Sequence, residues 1–170
     1  MKAAIFLLPQ ERTAPTLFLD FDGTLHVGRA VVDPDGQVSL ESRRKLFEYA
    51  PLLVELLEPY PSVEIVLTTS WPEAMTDETV LSHLPQELAR RVVDTTRGRK
   101  PRFSYMLNGS GRTDVISCYA LGKGLTRWLA IDDSVYGVYH LGREPGQLMK
   151  NFVLLDSSRG IGDEIAQHRI

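Results

Sequence analysis

The apolar run Leu17-Phe18-Leu19 ends directly in Asp20-Phe21-Asp22, and Gly23-Thr24-Leu25 follows at once. Residues 16–20 read as a short buried strand leading into two aspartates. Carboxylates at the end of a buried strand lie where an open α/β sheet binds its ligands. Side chains alternate along a strand, so Asp20 and Asp22 share a face if the backbone runs straight. Gly23 predicts that it turns instead, which lets both carboxylates converge on one pocket. Paired carboxylates without a counter-charge are costly to bury, so a bound cation is the natural third party.

The rest of the chain repeats this pattern of short apolar runs between helical stretches. Ala30-Val31-Val32, Asp33-Pro34-Asp35-Gly36 and Gln37-Val38 predict a hairpin within 28–38, its turn at Asp35-Gly36. Pro51 suits the first turn of a helix running to about Glu58, with Leu52, Leu53, Leu56 and Leu57 inward. Residues 63–67 read as a second strand, ending in Thr68-Thr69-Ser70-Trp71. Helical stretches follow near 73–81 and 85–91, then a short strand at Val92-Val93. Residues 95–111 form a Gly- and Arg-rich connection without a period. A helix opens at Ser110 and runs to about Leu121, with Val115, Ile116, Tyr119 and Ala120 inside. Arg127–Ile131 is a strand ending in Asp132-Asp133, Phe152–Leu155 is the last strand, and a terminal helix begins at about Asp163. Strands alternating with helices predict an α/β fold: a Rossmann-like parallel sheet with helices on both faces.

With 170 residues and 43% hydrophobic content, one domain spanning 1–170 is expected. A single cysteine, Cys118, excludes an internal disulfide framework and fits a reducing, cytoplasmic setting. The opening MKAAIFLLPQ is too short for a transmembrane helix and has no cleavage-site pattern, so it reads as an edge strand or ordered tail, and no membrane partner is expected. The net charge of −3 conceals an asymmetry. Nine of the 19 basic residues lie between 90 and 127, beside only Asp94 and Asp114 as acids. Such a block is either a phosphate or nucleic-acid footprint or a solvated basic loop.

The string DFDGTL resembles motif I of the haloacid dehalogenase (HAD) superfamily, most of whose members are Mg²⁺-dependent phosphohydrolases. The resemblance implies that Asp20 is the nucleophile, forming an aspartyl-phosphate, and that Asp22 is the general acid and base, with Gly23 and Thr24 against the substrate. An apolar strand ending in a hydroxyl residue is similar to motif II; this implies that Thr69 holds a phosphoryl oxygen with the Ser70 amide. Motif III requires a cation, and Arg112, Lys100 and Lys123 are the candidates. Arg112 opens a helix and so sits on the catalytic face. Lys100 precedes that helix in a loop and can reach back, whereas Lys123 lies about 15 Å further along it. Asp132-Asp133 resembles motif IV. The metal ligands so implied are Asp20, the backbone carbonyl of Asp22, and Asp132 or Asp133, around Mg²⁺. His26 reads as a flap histidine bonded to backbone that could also touch substrate. Trp71 reads as a packing residue that could also stack on a base. His83, His140 and His168 lack metal-ligand spacing.

The stretches from Asp22 to Ile65 and from Trp71 to Arg112 are too short for a full cap domain, so only the small flap hairpin is expected over the site. LFLDFDGTLH, IVLTTSW, the arginine-led helix and WLAIDD most resemble the small HAD domains associated with bacterial and phage RNA-repair proteins. That resemblance implies nucleic acid repair, with a phosphate removed from an RNA or DNA end. A phosphatase for a small metabolite or nucleotide is the alternative. A non-catalytic binding module on the same scaffold is a third reading, which loss of a motif I aspartate would mark; neither aspartate is lost.

Overall fold

The computed structural model describes residues 14–100, 110–133 and 151–170. The N-terminal run before Ala14, most of the 95–111 connection, Arg102 and His140 lie outside them. Five parallel strands form the sheet: β1 (Thr16–Leu19), β4 (Glu64–Leu67), β5 (Val92–Thr95), β6 (Trp128–Asp132) and β7 (Phe152–Leu154), in the order β5-β4-β1-β6-β7. β1 is central, with Leu19 opposite Leu67 on one side and Ile131 on the other. The chain winds outward through β4 and β5, then returns to the other side of β1 for β6 and β7. Such a reversal of strand order opens a crevice at the carboxyl ends of the strands.

Alternation along the strands builds two cores. Leu17, Leu19, Ile65, Leu67, Ile131 and Val153 face one way, against α1 (Ala50–Leu57), α3 (Asp77–Ser82), α4 (Gln86–Ala89) and α6 (Glu164–Gln167) through Leu53, Leu57, Val80, Leu88 and Ala166. Phe18, Val66, Ala130 and Phe152 face the other way, against Ile116, Tyr119 and Ala120 of α5 (Ser110–Gly122). The expected α/β sheet covered on both faces is therefore present. Tyr119 and Trp128 both meet Phe18 edge-on, with ring centroids 5.5 Å away.

β2 (Ala30–Val32) and β3 (Val38–Leu40) form the expected flap hairpin, antiparallel and outside the main sheet. The Asp33 carboxylate closes its turn by accepting the N–H groups of Asp35 and Gln37. Among the described residues there is no cap domain. One helical expectation needs correction: 73–81 is not continuous. α2 (Trp71–Ala74) stops at Met75, whose backbone is extended, and Thr76 caps α3 by accepting the Thr79 N–H at 3.2 Å. The signal was present in Thr76-Asp77-Glu78, an N-cap residue followed by acids in the first turn. No helix among the described residues is long and apolar enough to cross a membrane.

Candidate active site

The ends of β1, β4 and β6 meet in one cleft of about 520 Å³. Backbone hydrogen bonds continue just past the strands, from Thr68 N–H to Leu19 O at 2.9 Å and from Leu155 N–H to Asp132 O at 3.0 Å. The residues that leave β1, β4 and β6 are therefore held in register. Asp20, Asp132 and Asp133 each place a carboxylate oxygen within 4.8 Å of the other two. Asp20 is 4% exposed and Asp132 fully buried. Burial, and then the Asp132 charge, raise the Asp20 carboxyl well above the ordinary range, against the opposing pull of Arg112. For the same reasons Asp133 is pushed up to about 6.

Arg112, in the first turn of α5, answers this charge. One guanidinium nitrogen lies 3.4 Å from Asp20 and 3.5 Å from Asp132, and it donates to the Thr68 carbonyl. Burial alone would lower the Arg112 guanidinium, but Asp20 and Asp132 hold it above its ordinary value. One arginine cannot neutralise three carboxylates. An all-oxygen cluster of this tightness suits a hard divalent cation that keeps waters in the rest of its shell, as Mg²⁺ does.

Asp22 is held apart from that cluster. Its Oδ1 accepts from His26 Nε2 at 3.0 Å and from the Trp71 indole N–H at 3.1 Å, and its Oδ2 accepts the Ala30 N–H at 3.3 Å. While Asp22 is ionised its carboxylate has no proton to give, and His26 is the donor. Burial raises the Asp22 carboxyl, but these bonds prevail and leave it below its ordinary value. Its side chain is outside the carboxylate cluster. Two neighbouring aspartates thus have opposite environments, which can give two carboxylates different roles.

His26 needs correction, because it bonds the Asp22 carboxylate and not backbone. Trp71 is packed, edge-on to Phe21 at 5.3 Å and to His83 at 5.6 Å, so its face is not open to a base. Its indole N–H on Asp22 had no sequence signal. The motif I turn brings His26 to Asp22, closed by Leu25 N–H on Phe21 O at 2.8 Å with Gly23 at φ +68°.

The remaining site candidates divide. Gly23 lines the cleft at φ +68°, and a Cβ there would fall 2.1 Å from Asp133 Oδ2, so the glycine makes room for that carboxylate. Thr24 needs correction: it is fully buried and does not line the cleft. Its role is internal, its carbonyl accepting the Ile161 N–H at 3.0 Å. Ser70 is exposed and lines the cleft, whereas the Thr69 hydroxyl is buried and faces the Trp71 N–H at 3.4 Å. Lys100 is exposed and not among the cleft residues. Lys123 is 3.7 Å from Asp94, outside the cleft.

Much of the basic block is engaged within the fold. Arg91 donates to the carbonyls of Leu57, Tyr60 and Val63 beyond α1, and Arg97 to Met75 O and Asp77. Arg99 lies over the Tyr119 ring, 4.6 Å from its centroid. Sequence reasoning also passed over Arg29, an exposed cation on the flap side of the cleft.

Residues 16–166 match the family model described as the HAD domain in Swiss Army Knife RNA repair proteins. No curated protein and no solved structure matches the chain.

Proposed function

The chain belongs to this family of HAD domains, within the HAD hydrolases, and from that premise we propose that it is a Mg²⁺-dependent phosphatase acting on the end phosphate of an RNA or DNA strand. The observation that carries the reading is the separation of roles at the end of β1. Asp20 lies in the acidic cluster under Arg112, while Asp22 is turned away and held by three donors.

In this reading an Asp20 carboxylate oxygen attacks the phosphorus, and the ester P–O bond breaks. The leaving oxygen takes a proton from Asp22, which enters this step as the carboxylic acid. Asp22, now ionised, takes a proton from the water that attacks the aspartyl-phosphate. The acyl phosphate is cleaved, and inorganic phosphate and the Asp20 carboxylate are released. Arg112 and the Ser70 amide face the phosphoryl oxygens. Asp20, Asp132, Asp133 and the Asp22 carbonyl would hold Mg²⁺. When bound, the cation supplies the positive charge that keeps Asp20 ionised and screens it from the phosphate dianion. His26, Trp71 and Ala30 orient Asp22 throughout. The family's description, with its reference to RNA repair, supports a polynucleotide end as substrate. The cytoplasm is the proposed setting.

Asp20→Asn is close to isosteric but is a poor nucleophile and a poor cation ligand. It is expected to abolish Mg²⁺-dependent hydrolysis of p-nitrophenyl phosphate with an unchanged melting temperature in EDTA. Retention of more than a tenth of wild-type turnover would exclude the aspartyl-phosphate.

A further inference from the structure

The geometry points to Arg29 as the residue that binds a second phosphate of the substrate, the one adjoining the phosphate removed at Asp20. This rests on the phosphatase reading above and deepens it. Arg29 stands between the motif I turn and β2, with its backbone fixed on both sides. Its carbonyl accepts the Glu41 N–H at 3.0 Å, and the next amide, that of Ala30, donates to Asp22 Oδ2 at 3.3 Å. The position of Arg29 is therefore tied to the proton carrier itself. Its side chain is exposed and lines the cleft.

Arg112 and Arg29 are the only cations among the described cleft residues. One nitrogen of Arg112 meets Asp20, Asp132 and the Thr68 carbonyl, and its remaining donors serve the phosphate that is removed. Among the described residues, Arg29 has no ion pair. A substrate with one phosphate, held by Arg112 and a metal, gives Arg29 nothing to neutralise. A guanidinium is a planar fork suited to two phosphate oxygens. A cleft of about 520 Å³ is in the range that holds a nucleotide-sized group. Ser157 is exposed on the cleft and offers a hydroxyl to such a group. The second phosphate belongs either to the next diester of the strand or to the 5′ end of a nucleoside bisphosphate, and the chemistry at Arg29 is the same.

The test compares wild-type, Arg29→Ala and Arg29→Lys proteins on four substrates: p-nitrophenyl phosphate, a nucleoside 3′-monophosphate, a nucleoside 3′,5′-bisphosphate and a 3′-phosphorylated dinucleotide. Arg29→Ala is expected to raise KM tenfold or more on substrates with a second phosphate, the effect of one charge-assisted contact, with kcat within twofold. The two single-phosphate substrates are expected to be unaffected, and Arg29→Lys to recover part of the loss. A loss confined to the dinucleotide assigns the contact to the strand's diester, and one shared by the bisphosphate assigns it to any phosphate on the 5′ side. Equal losses on all four, or no loss on any, overturn the inference while leaving the phosphatase intact. If the wild-type protein hydrolyses none of them, the phosphatase reading fails by itself. Calorimetric titration with the dinucleotide and the bisphosphate then decides for Arg29, and affinity unchanged by Arg29→Ala overturns it.

Discussion

Replacing His26 by phenylalanine removes one of three donors to Asp22 and little else. His26 is fully buried, edge-on to Phe47 at 5.2 Å, so a phenyl ring fills the same space. The Trp71 and Ala30 bonds remain, which keeps Asp22 in place but less firmly oriented. A hydrogen bond to a charged group contributes about 1.5–3 kcal/mol. Expressed wholly in the transition state, that is roughly a 10- to 150-fold loss of kcat. Two surviving donors put the expectation at the lower end, about tenfold. The pH profile should move as well. The His26 bond helps hold Asp22 below its ordinary value, so its removal raises the folded pKa. Less Asp22 is then ionised at a given acidic pH, and the acidic limb of the water-attack step moves to higher pH. The assay is Mg²⁺-saturated kcat from pH 5 to 8, with melting temperatures alongside. His26→Gln, which restores a donor, is expected to recover much of the rate. Wild-type rates and an unshifted profile for His26→Phe would refute the reasoning and leave His26 a packing residue.

Three further outcomes are expected. Arg112→Ala should cost roughly 100-fold in rate, as one lost preorganised charge contact, while Lys123→Ala, remote and paired with Asp94, should be near wild type in the same assay. Gly23→Ala should abolish the Mg²⁺-dependent rise in melting temperature, because its methyl group would occupy the place of the Asp133 carboxylate and the backbone sits at positive φ. Asp94→Asn should lose a small increment of stability at pH 7, at most about 1 kcal/mol for so exposed a pair. Burial raises the Asp94 carboxyl, but the Tyr119 hydroxyl at 2.6 Å and the Thr95 N–H bring it below 3.8. That stability is present above about pH 3.8 and is lost as pH falls through the lower folded value, so melts at pH 7 and pH 3 should show the difference between mutant and wild type shrinking.

The backbone of this site was legible because strand ends are legible. Leu17-Phe18-Leu19, Val63–Leu67 and Trp128–Ile131 are apolar runs that break off into Asp, Thr or Asp-Asp, and a parallel sheet must bring such breaks to one edge. Arg112 was legible for the same reason, as the start of a helix that returns from that edge. Side-chain direction within the connecting turns was not. Thr24 and Thr69 follow their strands as expected, but the turns point one inward and seat the other's hydroxyl under the Trp71 amide. The indole of Trp71 reaches Asp22 across a large sequence separation that periodicity cannot register. Charge counting made Arg91 and Arg97 part of an electrostatic surface, because it does not see the backbone carbonyls that engage them.

The bond between Ile161 N–H and the Thr24 carbonyl joins the motif I turn to a short 3-10 helix (Gly160–Gly162) after β7. Gly160 lies so close that a Cβ would stand 2.4 Å from that carbonyl, and no other residue fits there without displacing the turn. The loop that carries Asp20 and Asp22 is thus held by a segment synthesised long after it. A nascent chain that has released residues through Asp133 already carries all four aspartates, yet lacks the segment that bonds the Thr24 carbonyl. Such distant contacts carry the largest loop-closure cost and form late. The arrangement of the candidate site is therefore a property of the finished fold, and a ribosome-bound intermediate would bear the motifs without it.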